Sequence, residues 1–148
     1  MIKHIPYGCV LEIEDLPRGY IRYGSLDYCK YKLPHQVVVV LKEISSGLQN
    51  PVFSYHCELL EKGEHIGHGK WHYDGRGSPL EKHRLLIVGN TPTSYIEDGA
   101  EKLMEPNKLW EYSGSLYHRA IPTEEKEMRV LLRASEIDMF PRNYWVSK

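Results

Sequence analysis

Histidine and carboxylate residues carry most of the chemical promise of this chain. Eight histidines are present, and four of them (His65, His68, His72 and His83) crowd between Glu64 and Arg84. The stretch His68-Gly69-Lys70-Trp71-His72-Tyr73-Asp74-Gly75 contains an H-x-D pair. In extended backbone, residues two apart share a face. His72 and Asp74 therefore point one way, and Trp71 and Tyr73 the other. An imidazole and a carboxylate side by side can supply two ligands to one divalent metal, and the third must come from elsewhere in the fold. His118, within Leu116-Tyr117-His118-Arg119-Ala120, is the best candidate. Two histidines and one carboxylate on one face leave coordination positions open for other ligands. The pair also has a plainer reading, an exposed histidine beside a turn-forming Asp-Gly. His65 and His68 stand three apart, but the glycines around them argue against the helix that would make this a ligand spacing, and they read as loop or strand-edge residues.

A second constellation follows in Met128-Arg129-Val130-Leu131-Leu132-Arg133-Ala134-Ser135. By a period of two, Val130, Leu132 and Ala134 form one face, and Arg129, Leu131, Arg133 and Ser135 the other. A lone buried charge is costly, so an arginine on a buried strand needs an anionic partner. Guanidinium meets carboxylate in a two-bonded fork. Arg133, with the Ser135 hydroxyl beside it, could hold the carboxylate of a bound molecule. A salt bridge to Glu124, Glu125, Glu127 or Glu136 is the competing reading for both arginines.

In these pieces the chain resembles the Fe(II)/2-oxoglutarate-dependent dioxygenases of the double-stranded β-helix fold. The matching residues are His72-Tyr73-Asp74, His118 and Arg133-Ala134-Ser135, in the family's order, within roughly residues 50 to 136. The resemblance implies that His72, Asp74 and His118 hold Fe(II), and that Arg133 with Ser135 clamps the cosubstrate 2-oxoglutarate. It implies oxidoreductase activity, hydroxylation of a substrate it does not identify. Two departures stand out. The chain is short for an active member, with little room for a substrate lid. The separation of His118 from Arg133 is long, which keeps Arg129 a rival clamp. Two further readings stay open: a cupin-like metal enzyme that does not use 2-oxoglutarate, and a non-catalytic jelly-roll module that binds a small anionic ligand or a partner protein. No G-x-S-x-G elbow is present, which disfavours triad hydrolysis.

The elements that must position these residues read mainly as strands. Residues 52–60, 70–74, 83–88, 109–113, 115–120 and 128–135 are rich in β-branched and aromatic residues and are punctuated by turn chemistry. Residues 36–42, with four consecutive valines, read as a buried strand. The N-terminal third reads as short strands or edge pieces, and residues 96–104 as the one place for a helical turn. Many short strands suggest a sandwich or barrel. The expectation is an all-β double-sheet jelly roll with minor α content, one domain over residues 1–148.

The chain as a whole sets mild limits. A formal net charge of −1 points to neither nucleic acid nor an anionic membrane, although a local basic patch fits inside a balanced total. Cys9, Cys29 and Cys57 are odd in number and form no CxxC pair, which favours a reducing, cytoplasmic setting. No stretch approaches a signal peptide or a membrane span. The aromatic tail around Phe140, Tyr144 and Trp145 is suited to packing on the sheet or on another subunit of a homo-oligomer.

Overall fold

The computed structural model describes residues 2–8 and 11–146, so the expectation for Cys9 lies outside the described residues. The strands are β1 (Ile2–Ile5), β2 (Gly19–Gly24), β3 (Val52–Leu60), β4 (Lys82–Val88), β5 (Thr93–Glu97), β6 (Ala100–Met104), β7 (Leu109–Ser113), β8 (His118–Ala120), β9 (Glu127–Glu136) and β10 (Trp145–Val146). Two short helices, α1 (Leu26–Lys32) and α2 (His35–Ile44), separate β2 from β3. A seven-stranded sheet runs β1-β7-β4-β9-β3-β2-β10, and a three-stranded sheet runs β6-β5-β8. Their pairings are antiparallel. This is the all-β jelly-roll class expected from the strand pattern.

Strand β9 lies at the centre of the large sheet, between β4 and β3. Its two faces do the work that the period of two assigned them. Val130, Leu132 and Ala134 are fully buried with Phe53, Tyr55 and Cys57 of β3 in the main core, which also contains Val37, Leu41 and Ile44 of α2. The helices therefore cover the back of the large sheet. The opposite face of β9, carrying Arg129, Leu131 and Arg133, turns toward a cavity of about 370 Å³.

Several expectations need correction. The N-terminal third, expected to hold short strands or edge pieces, also contains helix α1, capped by the Ser25 hydroxyl accepting from Tyr28 N–H. Residues 36–42 are helical, not a strand. The buried positions Val37, Val38, Val40, Leu41 and Ile44 fall on one side of a helix, while His35, Gln36, Lys42 and Glu43 are exposed. Each buried Val, Leu or Ile stabilises by about 1.5–3 kcal/mol. The helix penalty of a valine is no more than about 0.7 kcal/mol, so burial wins over propensity. Pro34, at φ −58°, sets the entry. Residues 96–104 hold no helical turn; they lie in the β5–β6 hairpin. Asp98 and Gly99 connect its strands with φ of 52° and 76°, the pair of positive values that a tight two-residue hairpin turn requires.

Candidate metal centre

His72 lies in an irregular stretch rather than in the expected strand over 70–74. It is held by an isolated bridge to His118, with His72 N–H donating to His118 O at 2.9 Å and His118 N–H donating to His72 O at 3.0 Å. This bridge fixes the alternation. His72 and Asp74 turn inward, while Tyr73 is exposed and Trp71 stacks on Tyr117 at 5.5 Å on the other side. After Asp74 the chain turns back through Gly75 and Gly77, both at positive φ. The buried Glu81 carboxylate ties this loop by accepting from Arg76 N–H and Ser78 N–H, each at 3.0 Å. At φ 59° a side chain on Gly75 would be strained, and its Cβ would meet the tied Glu81 Oε2 at 2.7 Å, so glycine suits the loop there.

One side-chain nitrogen or oxygen from each of His72, Asp74 and His118 lies within 4.8 Å of the others. His118 Nε2 is 3.1 Å from Asp74 Oδ2, and His72 Nε2 is 3.7 Å from Asp74 Oδ1. Both rings are oriented from behind: His72 Nδ1 sits 2.8 Å from Lys70 O and His118 Nδ1 sits 3.0 Å from Leu116 O. Each carbonyl takes the Nδ1 proton, which leaves Nε2 facing the carboxylate, the usual support of a metal-binding histidine. First-row divalent metals bind imidazole nitrogen and carboxylate oxygen at about 2.0–2.2 Å, and two such bonds at right angles place their donors roughly 3 Å apart. The donor set fits a divalent cation in identity, orientation and spacing.

Asp74 is the most heavily engaged residue of the site. Tyr112 Oη donates to its Oδ2 at 2.5 Å, and Arg133 Nη1 lies 2.8 Å from its Oδ1. Burial alone would raise the Asp74 carboxyl, but the Arg133 and His118 charges overcome it and hold it well below the usual carboxylate range. Burial works against the His118 charge too, yet the Asp74 carboxylate prevails and raises its pKa. For Tyr112, burial and the adjacent Asp74 act together and push the phenol well above its ordinary value.

The arginine face divides. Arg133 donates from Nη2 to Ser54 Oγ at 3.0 Å and lies over the Tyr23 ring at 4.8 Å, so its fork is occupied by Asp74 and Ser54. Arg129 forms the salt bridge that was its competing reading: Nε and Nη2 both donate to Glu127 Oε1, and Nη1 donates to Ile121 O. Ser135 does not stand beside a free guanidinium. Its hydroxyl is fully buried against His83 Nδ1 at 2.8 Å. Burial lowers the pKa of that histidine to about 4, so it is neutral at ordinary pH.

Sequence reasoning missed Tyr112, Ser54 and Tyr23, which arrive from β7, β3 and β2 by tertiary pairing alone. His68 is a loop residue, as its glycine neighbours imply, and it also lines the cavity, its ring 4.9 Å from that of His72. His65 is not among the three converging ligands. Cys29 and Cys57 are free and buried. No helix among the described residues is long and apolar enough to cross a membrane.

No family model matches the chain, and neither does any curated protein. Solved structures do resemble it. One is an oxidoreductase of the 2OG-Fe(II) oxygenase family from Burkholderia pseudomallei, at 13% identity and a TM-score of 0.50, covering 75% of this chain and 62% of that one. The present chain thus spans less than two thirds of that protein's length. A second is a non-heme monooxygenase, ThoJ, in complex with nickel, at 10% identity and a TM-score of 0.42, covering 73% of this chain and 49% of that one. The first likeness establishes a shared fold.

Proposed function

We propose that this chain is a single-domain non-haem iron oxygenase that uses 2-oxoglutarate. The observation that carries the reading is the convergence of His72 Nε2, a buried Asp74 carboxylate and His118 Nε2 at one wall of the cavity. His72, Asp74 and His118 are the proposed ligands. Fe(II) held by His72, Asp74 and His118 would supply dioxygen activation, in a reaction that would oxidise 2-oxoglutarate to succinate and carbon dioxide and place one oxygen atom in a substrate C–H bond. The chain's own part is to bind, orient and exclude water. Lys70 O and Leu116 O fix the two imidazoles, and Tyr112 orients the carboxylate. Leu85, Ile87 and Leu131 give the cavity an apolar wall that disfavours water. Arg133 is the proposed partner of the cosubstrate's carboxylate, with Arg129 the rival and Ser135 acting only through the packing around them. The substrate is a small molecule or a group that reaches a cavity of this size. The buried free thiols suit a reducing, cytoplasmic setting. Anaerobic Fe(II) titration followed by assay of succinate formed from 2-oxoglutarate tests the reading. Metal binding with stoichiometric, aerobic succinate formation is the expected result, and its absence despite bound metal would leave the cupin-like reading.

One observation favours a second reading, the non-catalytic anion-binding module. Arg133 lies on the carboxylate that a metal would need. A metal-free protein that binds 2-oxoglutarate would select it.

A further inference from the structure

The two arginines that line the cavity differ in what holds them. Arg129 has all three guanidinium nitrogens engaged, by Glu127 and by Ile121 O. Glu127 is itself fixed by Asn90 N–H at 2.9 Å and Thr91 Oγ1 at 3.0 Å, so that pair is closed. Arg133 is held by one charged partner, Asp74, and one neutral one, Ser54. Its Nε is buried and meets no acceptor. The Tyr23 ring at 4.8 Å supports the guanidinium, so a change of partner needs only a turn of the fork against a flat surface. Asp74 is also the one carboxylate among the residues described as lining the cavity, against Arg22, Arg129 and Arg133.

Charge arithmetic follows from these contacts. Glu127 balances Arg129, and Asp74 balances Arg133. With His118 neutral, as a metal ligand must be, a divalent cation on Asp74 brings two positive charges to the carboxylate that serves as the counter-charge of Arg133, and it arrives beside that guanidinium. Like charges at this range repel strongly away from water. A dianion entering beside Arg133 removes that repulsion.

We propose that Arg133 is a shared counterion, paired with Asp74 in the metal-free protein and transferred to an anionic cosubstrate when Asp74 takes a divalent metal, so that metal and dianion bind cooperatively. This rests on the metal-site reading above. Arg133 is here a positioning residue for the metal. It differs from a simple clamp in one respect: removing its charge strengthens metal binding in the absence of the anion, whereas removing a clamp would leave metal binding alone.

The test is calorimetric titration of the full chain with Mn(II), with and without saturating 2-oxoglutarate, for the wild type, Arg133→Gln and Arg133→Lys. Thermal melts of the metal-free proteins accompany it. Gln keeps a hydrogen-bond donor for Asp74 and loses the charge; Lys keeps the charge and loses the fork. In the wild type, 2-oxoglutarate should tighten Mn(II) binding about tenfold or more, within the usual range of coupling between two sites, and Mn(II) should tighten 2-oxoglutarate by the same factor. Arg133→Gln should bind Mn(II) alone about tenfold more tightly than the wild type and lose most of the enhancement. Arg133→Lys should bind Mn(II) alone as the wild type does. A folded Arg133→Gln with unchanged or weaker Mn(II) affinity would overturn the inference and leave the metal site standing. So would an Arg133→Lys whose metal-only affinity rises tenfold; if the Gln variant does not fold, Arg133→Met, which also removes the charge, takes its place, and unchanged or weaker Mn(II) affinity there overturns the inference equally. A wild type that binds no Mn(II) under either condition overturns both this inference and the reading beneath it.

Discussion

The two ends of strand β9 present the same residue type to the same cavity and treat it differently. At the Glu127 end, Arg129 is paired two residues along its own strand, and backbone and hydroxyl donors close the pair. At the other end, Arg133 reaches across to Asp74, a residue that His118 and Tyr112 also claim. Both arginines satisfy the rule that a buried cation needs an anion. Only one of the anions has other work available. A pair made within one strand is a structural device, and a pair made to a candidate ligand ties stability to chemistry.

The largest effect should come from removing the contested anion. Asp74→Ala takes away the one anionic ligand, so Mn(II) or Fe(II) binding should fall below detection by calorimetry. It also leaves Arg133 buried without a counter-charge, and breaking a buried pair this way costs about 3–5 kcal/mol. Denaturant unfolding of the metal-free variant should therefore show a lower midpoint. Wild-type metal affinity in Asp74→Ala would exclude the site.

Next in size is the closed pair. Arg129→Met should destabilise the protein by about 3 kcal/mol, since it strands the buried Glu127 carboxylate, yet leave Mn(II) affinity within a few-fold of wild type. The same pair makes a pH prediction. Burial works to raise the Glu127 pKa, but the hydrogen bonds from Arg129, Asn90 and Thr91 and the Arg129 charge prevail and depress it. A depressed folded-state value means that the stabilisation is complete above the unfolded carboxyl's value of about 4.3 and is lost as pH falls through the folded one. Glu127→Gln should flatten that part of the acid-unfolding profile, followed by circular dichroism. An unchanged profile would show that the pair carries no proton linkage.

Much of this site was legible because the backbone period of two is strict. H-x-D placed His72 and Asp74 on one side, and β9 divided as its alternation required. The helix α2 was not legible, because four successive valines have strand propensity and the burial that overrules it depends on a sheet lying beneath them. The β5–β6 hairpin stands where a helical turn was expected, and its signal lies in Asp98-Gly99, the dipeptide such turns favour. Tyr112 and Ser54 could not be read, since their distance to Asp74 and Arg133 is set by strand register between segments far apart in the chain. The same holds for the Arg133–Asp74 pair. Residue type announced that Arg133 needed an anion, and only the fold revealed that the anion was Asp74 rather than one of the nearby glutamates.

A smaller effect separates the arginines as cosubstrate partners. Lysine keeps the charge and loses the two-bonded fork. With Mn(II) present, Arg133→Lys should weaken 2-oxoglutarate binding about tenfold, the equivalent of roughly 1.4 kcal/mol. Arg129→Lys should weaken it less, because Glu127 already occupies that fork. Titration of both variants settles the rank order, and the reverse order would move the clamp to Arg129.

The smallest effect is expected one residue from the largest. Tyr73 lies between His72 and Asp74 in sequence, but the alternation turns it outward. It is about half exposed and its ring lies 4.9 Å from Tyr117, outside the ligand group. Its hydroxyl makes no hydrogen bond to any of the three ligands, whose partners are Lys70 O, Leu116 O, Tyr112 and Arg133. Tyr73→Phe keeps the ring contact and removes only that hydroxyl, so Mn(II) affinity should stay within about twofold, less than roughly 0.5 kcal/mol. Tyr112→Phe makes the same chemical change on the inward side, where the hydroxyl orients Asp74, and losses of such supporting hydrogen bonds typically cost 10–100-fold in metal affinity. Calorimetry on the two variants measures one chemical change at two orientations. Equal losses would mean that the stretch from His72 to Asp74 does not hold its alternation in solution, and the convergence of the three ligands would fall with it.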